Sequence, residues 1–147
     1  MVSRRIPYLA IVALILSGVT AMASDSEKEA AAVSAAEKWL VSVDAGEYAV
    51  SWQEAAELFR NAVTKEEWEQ LMQAGRKPLG KLISRTVKTK FYTTSMPDGP
   101  EGEYVVIQFA TSFEYKEKTI ETVTPMLEKD GKWRVSGYYI KIEDTTK

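Results

Sequence analysis

The chain has 147 residues, 45% hydrophobic and 27% charged, with 19 basic and 21 acidic side chains and neither histidine nor cysteine. That is the size of one globular domain, able to bury roughly two-thirds of its unfolded surface. The missing cysteine excludes disulfides, thiolate nucleophiles, zinc–thiolate sites and a lipidated N-terminal cysteine; the missing histidine excludes a serine–histidine triad.

The N-terminal segment reads as an export signal. Arg4 and Arg5 form a basic start, Ile6 to Val19 is almost wholly apolar, and Ala21-Met22-Ala23 has the small-x-small pattern that signal peptidase cuts. A bilayer span needs about 20 apolar residues, and this run is shorter. The expectation is cleavage after Ala23 and a periplasmic or secreted product, residues 24–147, folded as a single α+β domain with no remaining membrane span. The alternative is anchoring to the inner membrane by an uncleaved leader. Loss of the two leader arginines takes the formal charge from −2 to −4.

Helical signals come next. Ser26-x-x-Glu29, Ser51-x-x-Glu54 and Thr64-x-x-Glu67 each have the form of a capping box, in which two side chains satisfy free amides at a helix start. Behind the first, Ala32, Ala36, Trp39, Leu40 and Val43 recur at helical spacing as far as Asp44-Ala45-Gly46. Behind the second lie Trp52, Ala55, Ala56, Phe59 and Val63. Trp68, Leu71 and Met72 follow the third, which Gly75 and Pro78 close. Three helices are predicted.

The period then changes to two. Ile83, Val87 and Phe91 share one parity; Val105, Ile107, Phe109 and Phe113 alternate along a second strand, after the loop Ser95 to Gly102. Thr119 to Glu128 reads as a third strand, edge-like or bulged near Pro125. Lys129-Asp130-Gly131-Lys132 reads as a hairpin turn, and Trp133, Val135, Gly137 and Tyr139 as one side of a final strand. Helices segregated before strands, with short connections, predict an α+β fold. The expected architecture is three N-terminal helices on a curved four-stranded antiparallel meander, cystatin-like or nuclear-transport-factor-like.

Four segments also carry a family resemblance. WLVSVDAGEYAVSW (Trp39 to Trp52), RKPLGKLISR (Arg76 to Arg85), PDGPEGEYVVIQFATSF (Pro97 to Phe113) and ETVTPMLEKDGKWRVSGYYI (Glu121 to Ile140) resemble the bacterial domain-of-unknown-function family 4019. The resemblance implies a small exported bacterial domain and brings no activity with it.

The sharpest anomaly in the pattern is Arg85, which shares the parity of Ile83, Val87 and Phe91 and so falls on the apolar side. Glu121 likewise shares the parity of Val123 and Leu127. An isolated buried ion costs several kcal/mol or more, so the two are expected to pair, or to line a pocket together. A ligand site on the concave sheet face would then have Trp52, Arg85, Glu121 and Tyr139 as its lining. The alternative is an enzyme on a cone-like α+β fold with Glu121 or a tyrosine as acid or base, although arginine beside Glu121 makes it a poor base at neutral pH.

The stretch from Arg76 to Lys90 holds six basic residues and no acidic one, whereas Ser24 to Ala74 holds four basic and eleven acidic. Lys81, Lys88 and Lys90 could therefore contact an anionic envelope surface, or simply form a solvated face answered by the acidic helices. The tryptophans at helical and strand spacing read as core, and one of the adjacent Tyr138 and Tyr139 should be exposed. Asp98, Glu101 and Glu103 are oxygen ligands on a turn, compatible with weak calcium binding, but their spacing does not match an EF-hand loop. No metal, cofactor or nucleic acid is expected; the candidate partners are a small ligand or an envelope protein.

Overall fold

The computed structural model describes residues 22–143, so the expected leader, apart from Met22 and Ala23, lies outside the described residues. Among the described residues, four helices precede four strands: α1 (Asp25–Asp44), α2 (Tyr48–Glu54), α3 (Glu57–Ala62), α4 (Lys65–Gly75), a 3-10 turn at Lys77–Leu79, then β1 (Leu82–Thr93), β2 (Tyr104–Phe113), β3 (Lys116–Leu127) and β4 (Trp133–Ile142). The strands form one antiparallel sheet in the order β1-β2-β3-β4. The fold is α+β, as the segregation of periods predicts.

Two of the three expected capping boxes are used differently. α1 is capped by Ser24, whose Oγ accepts the Glu27 amide at 3.2 Å, two residues before the expected Ser26. Glu29 instead reaches across to accept the Tyr92 amide of β1. Thr64 and Glu67 do form the reciprocal box at the start of α4, each bond 3.2 Å long.

Ser51 caps nothing. It lies inside α2, where its hydroxyl donates to the Tyr48 carbonyl and accepts the Trp68 indole N–H at 2.9 Å. The single helix expected behind it is two short ones, because Ala55 and Ala56 are extended and the Ala56 amide bonds to the Val135 carbonyl of β4 at 2.8 Å. That backbone link replaces a helical hydrogen bond with one to the sheet.

The helices cover one sheet face. Ala32, Ala36, Trp39, Leu40, Val43, Phe59, Trp68 and Met72 meet Val105, Ile107, Phe109, Val123 and Val135 in a continuous buried cluster. Trp68 packs edge-on to Phe59 at 4.9 Å, and Trp39 to Tyr138 at 5.4 Å between centroids. Burying such rings is the dominant favourable term in a domain this small.

Bulges decide which residues point inward. Between Val87↔Phe109 and Thr89↔Gln108 one residue of β1, Lys88, has no partner, and between Leu82↔Phe113 and Ser84↔Ser112 Ile83 has none. Each extra residue resets the alternation. Ile83 and Phe91, expected inside, are therefore 65% and 53% exposed, while Tyr92 turns inward instead. On β4 the unpaired residue is Ser136, between Pro125↔Val135 and Thr124↔Gly137. Its hydroxyl donates to the Thr124 carbonyl at 2.7 Å. Of the two readings of the third strand, edge-like or bulged near Pro125, the second holds: β3 is a central strand, and the register break beside Pro125 lets proline sit there without a ladder donor.

Candidate functional site

Arg85 stands on β1 opposite Thr111, on the helix side of the sheet, and Glu121 stands on β3 opposite Phe109. Phe109 and Thr111 are two residues apart on the same face of β2, so a guanidinium from the edge strand can reach over β2 to the central carboxylate. It does so with a fork: Nε–H donates to Glu121 Oε1 at 2.7 Å and Nη2–H to Oε2 at 3.2 Å. The other side of the same guanidinium forks onto Asp44, at the C-terminal end of α1, with bonds of 2.8 and 2.9 Å. The expected pair is present, and Asp44 makes it a bridge from sheet to helix.

The remaining acceptor sites of Glu121 are filled. Oε1 also accepts the Thr111 hydroxyl at 2.6 Å and Oε2 the Tyr138 hydroxyl. A carboxylate offers about four lone-pair sites, and all are in use on a residue that is 0% exposed. A second arginine, Arg76, donates to Asp44 at 3.3 Å and to the Gly80 carbonyl at 2.6 Å, and lies 4.2 Å over the Phe113 ring. Two cations meet two anions, so the cluster is neutral.

Its electrostatics follow from that arrangement. Burial, followed by the adjacent Glu121 carboxylate, pushes the Tyr138 phenol well above its ordinary range, so it remains a donor. Burial opposes the charge on Arg85, yet its hydrogen bonds to Asp44 and Glu121 prevail and hold it more firmly protonated than usual. A base needs a free lone pair within reach of its substrate, and Glu121 has none. Chemically, the arrangement is a staple that ties α1, β1, β2, β3 and β4 together.

Sequence reasoning placed Arg85 and Glu121 correctly and missed Asp44, Arg76, Thr111 and Tyr138. Thr111 shares the parity of Phe109 and Phe113, so its inward position was readable. Asp44 had read only as a helix stop and Arg76 only as part of a basic run. Of the other proposed lining residues, Trp52 is half-buried, donates its indole N–H to the Val63 carbonyl at 2.8 Å and packs against the core. Tyr139 is 62% exposed and belongs to the opposite sheet face, because the bulge at Ser136 gives its expected inward place to Tyr138. The set does not converge on one cavity.

A family comparison fits this picture. A model of the family described as a protein of unknown function, DUF4019, matches residues 35–138. The chain belongs to that family. No curated protein matches it. The matched span contains every member of the buried cluster, from Asp44 to Tyr138.

Outside the cluster, this DUF4019 chain has an open cleft of about 810 Å³ between α2–α3 and the β3–β4 hairpin, with Leu58, Arg60, Met126 and Arg134 among its lining. Of the cations there, Arg134 is already answered: it donates to Glu128 at 2.7 Å and doubly to Asp130, holding Asp130 down to about 2. Among the described residues, no three acidic side chains are grouped to hold a metal ion, and no helix is long and apolar enough to cross a membrane. Glu103, from the acidic loop, is taken by Lys28 at 2.6 Å and by the Tyr92 hydroxyl.

The basic stretch divides by residue type. Arg76 and Arg85 turn inward to Asp44 and Glu121. Lys77, Lys81, Lys88 and Lys90 remain exposed, and none of them has a carboxylate within salt-bridge distance among the described residues. The acidic groups of α1 that approach β1 are already occupied: Glu29 by the Tyr92 amide, Asp44 by the two arginines.

Proposed function

We propose that this chain is an exported, non-enzymatic interaction module that contacts an anionic component of the cell envelope through its β1 edge. The observation that carries the reading is the sorting just described: the arginines of the basic stretch are consumed by internal acids and the lysines are left to the solvent. A patch of unanswered positive charge attracts an anionic partner and orients the approach of a domain whose net charge is negative. Against the enzymatic alternative stand the filled acceptor sites of Glu121 and the phenol of Tyr138, which is committed as a donor.

Export is supported by the leader pattern and by the place where the helical fold starts. Ser24, the residue that would become the N-terminus, already serves as the cap of α1, so cleavage after Ala23 leaves the first helix complete. Expressed from the full gene in an exporting host, the recovered protein should begin at Ser24 by intact mass. A retained leader would favour inner-membrane anchoring instead.

The binding reading is tested on isolated cell envelopes. The recovered protein should sediment with them at low salt and be released as ionic strength rises, and Lys88→Glu with Lys90→Glu should abolish the binding. Equal binding by the charge-reversed variant would overturn the proposal.

A further inference from the structure

The β1 edge carries more than charge. Leu82, Ile83, Val87 and Phe91 are all exposed on this one strand; Lys88 and Lys90 fall between Val87 and Phe91, and Lys81 immediately precedes Leu82. Most surface apolar residues need no explanation. Four on a single edge strand, set among lysines, are a concentrated feature.

An exposed edge strand usually invites another strand. Here that use is obstructed. The unpaired Ile83 and Lys88 break the regularity of β1 at two places, and the Glu29 carboxylate already occupies the amide of Tyr92. Bulges and edge lysines are the devices by which sheets avoid strand addition. The edge therefore offers side chains rather than a backbone ladder.

The side chains it offers are exposed apolar groups and, along the same edge, ammonium groups without a carboxylate partner among the described residues. That combination suits the boundary of an anionic bilayer, where the apolar part enters among the acyl chains and the lysines meet headgroup phosphates. Lysine is suited to this because its stem lies along apolar surface while its ammonium stays hydrated. A soluble polyanion would use the lysines and gain nothing from Ile83 and Phe91. We infer that the β1 edge is a peripheral membrane-docking surface for anionic phospholipid, with Ile83 and Phe91 entering the interface and Lys88 and Lys90 bound to headgroups. This rests on the envelope-binding reading above and names its partner.

The test is co-sedimentation of the exported, leader-free protein with vesicles of phosphatidylglycerol mixed with phosphatidylcholine, against vesicles of phosphatidylcholine alone. Binding is expected to the mixed vesicles only. Lys88→Gln with Lys90→Gln should weaken it about thirtyfold, from the contribution of each lysine near an anionic surface. Ile83→Ser with Phe91→Ser should also weaken it, by about tenfold or more, while leaving its salt dependence unchanged. Lys129→Gln with Lys132→Gln, in the β3–β4 turn, should have no effect. Circular dichroism of each variant confirms that it is folded.

Two results separate this inference from the reading beneath it. Salt-sensitive binding to whole envelopes without binding to the anionic vesicles overturns the lipid inference and leaves the envelope reading standing. Loss of both overturns both. Vesicle binding that is indifferent to Ile83→Ser with Phe91→Ser overturns insertion and reduces the surface to a charge patch.

Discussion

The helix side of the sheet and its β1 edge receive cations from the same short stretch of sequence and use them in opposite ways. Inside, Arg85 forks onto two carboxylates at once and Arg76 lies over Phe113. Outside, Lys77, Lys81, Lys88 and Lys90 are exposed and unpaired among the described residues. The chemistry of the two side chains explains the division. A guanidinium is planar, weakly hydrated and offers five donors in a fixed fork, so it can be buried when carboxylates face it on two sides. An ammonium is a strongly hydrated point charge that costs more to strip of water. A run of six basic residues is thus two structures: an internal staple and an external patch.

The interior should break first and hardest. Glu121→Gln removes one charge from a balanced cluster and leaves Arg85 with Asp44 alone, so we expect a loss of about 3–5 kcal/mol, measured by denaturant unfolding. Arg85→Lys keeps the charge but cannot make both forks. It should remain destabilised by more than about 1.5 kcal/mol, the lower value for a hydrogen bond to a charged group. A change below about 1 kcal/mol in both variants would mean that water already satisfies the cluster, and the contrast between a closed interior and an open edge would fail.

Tyr138 gives a smaller effect with a distinctive pH signature. Tyr138→Phe removes one donor from Glu121, which should cost about 1.5–3 kcal/mol near neutral pH. The phenol has a higher pKa folded than unfolded, so its contribution is fully present below the ordinary tyrosine value of about 10 and is lost as the pH rises from there toward the folded value. Wild-type protein should therefore lose stability above about pH 10, and Tyr138→Phe should lose less over the same range. Parallel pH–stability curves would show that Tyr138 is not the group responsible.

These side chains also mark where sequence reading succeeded and where it could not. The helix-then-strand order, the Arg85–Glu121 pairing and the Thr64–Glu67 box were legible because each depends on local period or on the cost of a lone buried charge. Tyr138 and Tyr139 were exchanged because a parity rule counts residues, and one extra residue at Ser136 shifts everything after it. The same happened at Lys88, which turned Phe91 outward and Tyr92 inward. A bulge is fixed by pairing with a distant strand, and the composition of β1 or β4 alone does not announce it. Ser51 was misread for a related reason: its partner, the Trp68 indole, is remote in sequence.

The two serine/threonine sites test that distinction at about the 1 kcal/mol level. Thr64→Ala removes a true cap and should cost about 1 kcal/mol. Ser51→Ala should cost at least as much by a different route, because it leaves the Trp68 N–H without an acceptor inside the core. Trp68 fluorescence should report a changed environment in Ser51→Ala. If Ser51 acted as a cap after all, that emission would stay as in the wild type while helicity alone fell.

The smallest effect is the most informative about the exterior. Lys88→Gln with Lys90→Gln should leave unfolding free energy within about 0.5 kcal/mol of wild type, the usual range for exposed positions with no specific partner. Both lysines lack a carboxylate partner among the described residues, and the pairing of β1 with β2 passes over Lys88 altogether. Neutralising them therefore removes no contact on which the fold depends. Were the variant destabilised by well over 1 kcal/mol, the lysines would be answering the acidic helices over a longer range, and the edge would belong to the same electrostatic unit as the staple. Unchanged stability together with lost vesicle binding would instead separate the two uses of one basic stretch: the arginines hold the domain together, and the lysines hold it to its partner.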